Sequence, residues 1–270
     1  MAATASTSAS AAAADGAPRR VAIALRGVSI GYGDRAIVEG IDLDILEGEI
    51  LFIGGGSGCG KTTLLSSLNT LRPPLAGSIV IDGIEIAGAG EDTLQQVRRR
   101  FGMMYQLGAL FGGMTLLENV RLPLEEFTTL PRDAMDDLAR AKLGLVGLAA
   151  HAGKKPSEIS GGMQKRAAIA RALALDPPIV FLDEPSAGLD PVTSADLDAL
   201  IVALNRMLGT TFVVISHELA SIFAIGHRFA MLDGARRRMV ALGAPAELRD
   251  HSDDPWVRRF LTRTASGDHG

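Results

Sequence analysis

An α/β fold is what this sequence predicts, a sheet of buried strands fed by strand, loop and helix units and interrupted by one all-helical insertion. Three observations carry that expectation. Residues 50–53 (Ile-Leu-Phe-Ile) form a continuous apolar run, as a strand buried on both faces does, and after a glycine-rich break Leu64, Leu65 and Leu68 restart at helical spacing. Residues 178–182 and 211–216 repeat the buried-strand character further along. Between these parts, residues 107–175 carry helical segments separated by Gly and Pro, with no alternating strand pattern. A chain of 270 residues that is 47% hydrophobic and 21% charged can bury a full core, and we read one domain. A net charge of −4 argues against nucleic acid as the main partner, because a phosphate backbone needs a basic surplus.

Taken in order, residues 1–20 read as a disordered tail rich in Ala, Ser and Thr. The tail lacks the basic start and leucine-rich middle of a secretory signal and only weakly resembles an organelle transit peptide. Residues 21–255 form the predicted domain, with a core of 21–106 and 176–250 around a helical subdomain at 107–175, and 256–270 read as a C-terminal tail. Val21, Ile23 and Leu25 alternate as a half-exposed strand, and so do Ile41, Leu43 and Ile45. Residues 78–86 alternate around Asp82-Gly83, a hairpin turn, and residues 93–100 read as a helix leading into a strand that ends at Gln106. Helices are predicted over 116–124, 132–146 and 160–175, and an amphipathic one over 194–208. Terminal strands at 229–232 and 238–242 flank Asp233-Gly234. The basic triplets at 98–100 and 236–238 read as solvated surface. No run approaches the roughly 18 apolar residues of a membrane span.

The chemistry starts in the break after the first buried strand. Gly55, Gly56, Ser57, Gly58, Cys59, Gly60, Lys61 and Thr62 fit G-x-x-x-x-G-K-[ST] without mismatch. The glycines let successive backbone N–H groups curl around a β-phosphate at the positive end of the following helix. Lys61 then reaches the β- and γ-phosphates, and the Thr62 hydroxyl holds Mg2+. Cys59 is the lone cysteine, so an internal disulfide is excluded. It reads as a small residue tolerated in the loop, with a redox-sensing thiol as the lesser alternative. An apolar strand at 179–182 delivers Asp183 to the sheet mouth, where its carboxylate can hold Mg2+ through water, and Glu184 follows as the general base for the attacking water. Ser160, Gly161, Gly162 and Met163 open a helix, with Ser160 as N-cap and bare N–H groups as a second anion site. His217 follows a buried strand, where an imidazole can contact the γ-phosphate or the water, although a lone His is more often structural. Tyr32, between Gly31 and Gly33, is either a base-stacking aromatic or the cover of a hairpin edge.

In this order and spacing the elements resemble ATP-binding cassette ATPases, over about residues 21–262. Tyr32 resembles the family's base-stacking aromatic, residues 55–62 its phosphate loop with Thr63 adjacent, and Ser160 to Met163 its signature. Gln106 matches the Q-loop glutamine, which implies a catalytic role and, with Thr62 and Asp183, a place among the Mg2+ contacts. Asp183 and Glu184 match the Walker B acids, Ser186, Ala187, Gly188, Leu189 and Asp190 the D-loop, and His217 the switch histidine. The resemblance implies a P-loop NTPase fold with a RecA-like core sheet, an antiparallel β subdomain and an inserted helical subdomain. It also implies ATP and Mg2+ as cofactors, a head-to-tail dimer with a second copy of the chain, and a permease driven through the segment after Gln106.

A narrower resemblance lies in QLGALFGGMTLLENVRLPL and SGGMQKRAAIARAL, which are similar to the ATPases of bacterial MCE-type lipid transporters. Met163, where the family commonly has Gln, belongs to that likeness. It implies phospholipid as cargo, an integral-membrane permease and an MCE-type substrate-binding subunit as partners, and a peripheral position on the cytoplasmic face of the inner membrane. Leu107, Ala109, Leu110 and Phe111 are apolar enough to receive a permease helix, or they pack the helical subdomain. Competing expectations are an amino-acid-type importer ATPase, a soluble cassette ATPase of translation or DNA maintenance, and an ATP sensor that does not hydrolyse.

Overall fold

A computed structural model describes residues 19–106 and 108–263. The sequence's expectations for residues 1–18, Leu107 and residues 264–270 therefore lie outside the described residues. In chain order the elements begin with β1 (Val21–Tyr32), β2 (Arg35–Leu46), β3 (Ile50–Gly55), α1 (Lys61–Leu68), β4 (Ala76–Ile81), β5 (Ile84–Glu85), α2 (Glu91–Arg98) and β6 (Phe101–Met104). The helical insertion follows as α3 (Leu116–Phe127), α4 (Arg132–Leu145) and α5 (Gly161–Ala172). The chain then returns through β7 (Ile179–Asp183), α6 (Pro191–Leu208), β8 (Thr211–Ile215), α7 (Leu219–Ile225), β9 (Arg228–Asp233) and β10 (Arg238–Gly243), and closes with α8 (Pro245–His251) and α9 (Pro255–Thr262).

Two sheets result. One is antiparallel, in the order β2-β1-β4-β5, and the other runs β10-β9-β3-β8-β7-β6. In the second, β9, β3, β8, β7 and β6 are parallel and only β10 is antiparallel to its neighbour. The phosphate-loop strand β3 sits inside this sheet between β8 and β9, and all six of its residues are buried. Its side chains alternate between two cores. Ile50 and Phe52 join the cluster under the helices, whereas Leu51 and Ile53 join the cluster shared with the antiparallel sheet and α1. Strands β7 and β8 repeat that alternation, with Val180, Leu182, Phe212 and Val214 on the helical side and Ile179, Phe181, Val213 and Ile215 on the other. A sheet covered on both faces needs continuous apolar strands, which is why these runs are legible without alternation.

The helical insertion approaches the sheet closely at β6, and its leading loop is fixed from within. A Cβ at Gly102 of β6 would lie 1.8 Å from the carbonyl oxygen of Ala172 in α5, so only glycine permits this approach. The side chain of Asn119 in α3 is buried, accepts the N–H of Phe111 at 2.7 Å and donates to the carbonyls of Phe111, Met114 and Thr115. The loop ahead of α3 is thereby fixed with the Phe111 ring 56% exposed, while Leu110 packs against the helical core.

One expectation is corrected at the C-terminus. Residues 256–262, assigned to a tail, lie in α9, which Asp254 caps by accepting the N–H of Trp256. Val257 and Leu261 are buried one turn apart, and the Phe260 ring stacks on Phe229 of β9 at 6.1 Å. The apolar i, i+4 pair behind an Asp-Pro start is a helix signal that a reading based on length alone overlooks. Helices α7 and α8, each seven residues, are also absent from the sequence expectations because two turns carry too little periodicity.

Candidate active site

The phosphate loop runs from the end of β3 to the start of α1, and Gly55, Gly58 and Gly60 take φ values of 141°, 72° and 99°. At Gly55 the constraint is also spatial, since a Cβ there would lie 2.2 Å from the carbonyl oxygen of Leu232 in β9. The Lys61 ammonium bends over its own loop and donates to the carbonyls of Gly55 and Gly56 at 3.0 and 3.1 Å. Cys59 is buried, and loss of solvent pushes its thiol above the ordinary range despite the nearby Lys61 charge. That environment opposes a reactive thiolate, so the small-residue reading of Cys59 is the one its surroundings favour.

Strand β7 ends on Asp183, and Glu184 turns out of the sheet with φ 47°. Its N–H donates to Ile215 of β8, its Oε1 lies 2.8 Å from Nδ1 of His217, and its Oε2 accepts the Ser216 hydroxyl at 3.4 Å. A carboxylate only accepts, so Nδ1 carries the hydrogen in this contact. Burial, and then the adjacent Glu184 charge, push Asp183 above the usual carboxylate range, while Lys165 and Lys61 pull the other way. A divalent cation would relieve that repulsion.

Among the described residues no group of three or more His, Cys, Asp and Glu side chains is arranged to hold a metal. The Thr62 hydroxyl, the Asp183 carboxylate and the Gln106 amide are instead hard oxygen donors, the set that suits Mg2+ when phosphate oxygens complete the shell.

A cavity of about 780 Å3 opens at this point, within the range of nucleotide-sized pockets. Residues 55–58, Lys61, Glu184 and His217 line one side. Trp256, Arg259 and Arg263 of the C-terminal helix region line the other, and these are functional candidates the sequence reading missed. Lys61 and the two arginines against one glutamate give the cavity a positive balance suited to an anion. A second cavity of about 650 Å3 shares Gly58 and is lined by Tyr32, Arg35, Ile37 and Arg237. Tyr32 is 53% exposed, its hydroxyl accepts from Thr63 at 3.5 Å, and the Arg72 guanidinium covers one ring face at 4.4 Å. The two cavities thus adjoin at Gly58 of the loop.

The remaining sequence candidates gather elsewhere. Ser160 caps α5 by accepting the N–H of Met163 at 3.3 Å, and Gly161 is exposed beside it. A Cβ at Gly162 would meet the Thr193 methyl at 2.6 Å, so a side chain here would push Thr193 of α6 aside. The segment Ser186, Ala187, Gly188, Leu189 and Asp190 runs into α6, where Asp190 accepts the N–H groups of Val192 and Thr193, both at 3.0 Å. These two segments therefore meet, and neither is among the residues that line the cavity of Glu184 and His217. Gln106 ends the β6 connection, and its backbone carbonyl accepts from the Lys165 ammonium of α5. Among the described residues no helix is long and apolar enough to cross a membrane.

Comparison with known proteins gives concordant findings. The sequence profile of the ABC transporter family matches residues 38–187. The chain is 41% identical over 253 residues to a probable ribonucleotide transport ATP-binding protein, mkl, of Mycobacterium leprae, covering 94% of this chain and 72% of that protein. It is also 41% identical over 244 residues to the intermembrane phospholipid transport system ATP-binding protein MlaF of Escherichia coli, covering 90% and 89%. A dimeric structure of the ATP-binding cassette MJ0796 in a post-hydrolysis state bound to ADP and Pi superposes with a TM-score of 0.73 at 32% identity, over 82% of this chain and 98% of the other.

Proposed function

The chain belongs to the ABC transporter family, and on that footing we propose that its ATP hydrolysis drives a permease moving phospholipid between membranes of the cell envelope. The observation that carries the cargo is the end-to-end likeness to a phospholipid-transport ATPase, which spans nine-tenths of this chain and nearly as much of that protein. The relative named for ribonucleotide transport is matched over only 72% of its length and speaks less directly to what this chain does.

The chain supplies each part of hydrolysis. Backbone N–H groups of residues 56–62 and the Lys61 ammonium seat the β- and γ-phosphates, with the base against Tyr32. Thr62, Gln106 and Asp183 would hold Mg2+, which when bound neutralises charge on the phosphate oxygens. Glu184 takes a proton from water as the water oxygen bonds to the γ-phosphorus, the bond to the β–γ bridging oxygen breaks, and ADP and phosphate result. His217 orients that carboxylate through Nδ1. A second copy, docked head to tail, brings Ser160 to Met163 and its D-loop against the same nucleotide. Phe111, held outward by Asn119, meets the permease at the cytoplasmic face of the inner membrane, with an MCE-type subunit completing the transporter. The boundaries we assign are an ATPase domain at 21–262, extended from 255 because α9 packs on β9, with its helical subdomain at 107–175.

Two experiments test this reading. Tagging the chain, extracting membranes in mild detergent and identifying the co-purified proteins and lipids by mass spectrometry should return a multi-span permease, an MCE-type subunit and phospholipid. A solute permease with its binding protein, or a nucleotide-specific permease, would move the cargo elsewhere. Glu184→Gln should retain ATP, accumulate as a closed dimer and lose turnover by at least about a hundredfold. Wild-type turnover in that variant would remove Glu184 as the base.

A further inference from the structure

Lys165 stands on the buried stripe of α5, in register with Ala168, Ile169 and Ala172, yet it carries a charge into the core at 7% exposure. Its ammonium donates to the backbone carbonyl of Gln106 and, at 3.4 Å, to that of Glu184. Further along the same helix, Arg171 donates to the carbonyls of Gly108 and Ala109, both at 2.8 Å. These carbonyls belong to backbone that has left regular geometry, with φ of 74° at Gly108, 46° at Ala109 and 47° at Glu184. Two cations of one helix thus hold the loop after β6, and one of them also holds the residue after β7.

Packing does not account for Lys165. A buried ammonium is costly to desolvate, and an unbranched apolar chain such as Met would fill the space more cheaply. What the ammonium adds is a pair of hydrogen bonds to two residues of the hydrolytic site and a positive charge facing Asp183 and Glu184. Glu184 adopts a left-handed backbone that a residue with a Cβ takes only when its surroundings enforce it. Here they do so from both ends, with the Ile215 carbonyl on its N–H and the Ala187 N–H and Lys165 on its oxygen.

We propose that Lys165 is a positioning residue for ATP hydrolysis: one ammonium holds the backbones of Gln106 and Glu184 in fixed relation to the signature helix. In the head-to-tail dimer, α5 presents Ser160 to the second nucleotide, so the same contact ties the base of one site to the signature of the other. The inference rests on Glu184 being the base, as proposed above.

The test uses the purified full-length protein, comparing Lys165→Met, which keeps length and removes the donors, with Lys165→Arg, which keeps charge and donors. Lys165→Met should lower kcat by about tenfold or more while the KM for ATP changes less than about threefold. Its thermal midpoint should stay near that of the wild type, and Lys165→Arg should recover most of the lost kcat. Turnover of Lys165→Met within about twofold of wild type overturns the proposal. So does a parallel fall of kcat, ATP affinity and thermal midpoint in both variants, the pattern of a purely structural lysine. Glu184→Gln assayed alongside separates the two failures: full turnover there removes the base assignment, whereas an inactive Glu184→Gln beside a fully active Lys165→Met removes only the positioning role.

Discussion

At the scale of single residues, the site divides into side chains that act through their chemistry and glycines that act through the absence of one. Gly55 is the sharpest case of the second kind. Its backbone lies at φ 141°, and a Cβ would lie 2.2 Å from the Leu232 carbonyl oxygen and 2.8 Å from Cys59 Sγ. Neither the strand backbone nor the buried thiol can retreat cheaply. Gly55→Ala should therefore cost about 1–3 kcal/mol in urea unfolding and displace the loop that seats the phosphates, with ATP affinity falling in step. The motif glycines and Lys61 were legible in the sequence because a phosphate cradle needs fixed spacing after one strand, and Glu184 and His217 because each follows an apolar strand of its own. Lys165 was not, because its role arises from carbonyls 59 and 19 positions away in the chain. The available signal was a lysine in register with Ala168, Ile169 and Ala172, a charge on an apolar stripe.

At the scale of elements, length and periodicity decided what could be read. Strands β3, β7 and β8 were legible as apolar runs, whereas α7, α8 and α9 were missed or taken for tail because short helices carry few periods. Helix α9 nonetheless anchors one wall of the nucleotide cavity. Leu261, buried at 3% exposure, is one of the side chains that tether it, and Leu261→Ala should cost about 2 kcal/mol, measured by chemical denaturation, while weakening ATP binding through loosened Arg259 and Arg263. The start of β9 makes a different prediction. His227 Nδ1 accepts the N–H of Ile50 at 3.1 Å, a bond that requires the neutral ring, and desolvation together with Arg19 lowers its pKa. The unfolded chain binds that proton more readily than the folded one. Stability should thus be full above the ordinary histidine range near about 6.5 and decline as pH falls through it. The ring edge reaches solvent, so the slope should be shallow, and His227→Gln should abolish it in denaturation midpoints compared between pH 7.5 and 5.5. An unchanged slope in that variant would place the effect on another group.

At the scale of the whole molecule, the candidate residues fall into two groups. The phosphate loop, Glu184 and His217 line one cavity, while Ser160, Gly161 and the D-loop sit together at the junction of α5 and α6. The sequence showed both sets of residues but not that residues 160–162 pack against residues 189–193. Head-to-tail pairing, as proposed above, would join the two groups in composite sites, and it makes a quantitative prediction. Lys61→Ala damages the phosphate loop and Ser160→Arg the signature, and each pure variant should be inactive because both of its sites carry the lesion. Mixed one to one, half of the dimers contain one chain of each kind. In those dimers one composite site carries both lesions and the other carries neither. If the two sites turn over independently, the mixture should recover about a quarter of wild-type activity. If instead each chain completed its site alone, every site would keep a lesion and mixing would restore nothing. The recovered fraction in a steady-state ATPase assay thus reads out whether the signature acts in trans, without any structure of the complex.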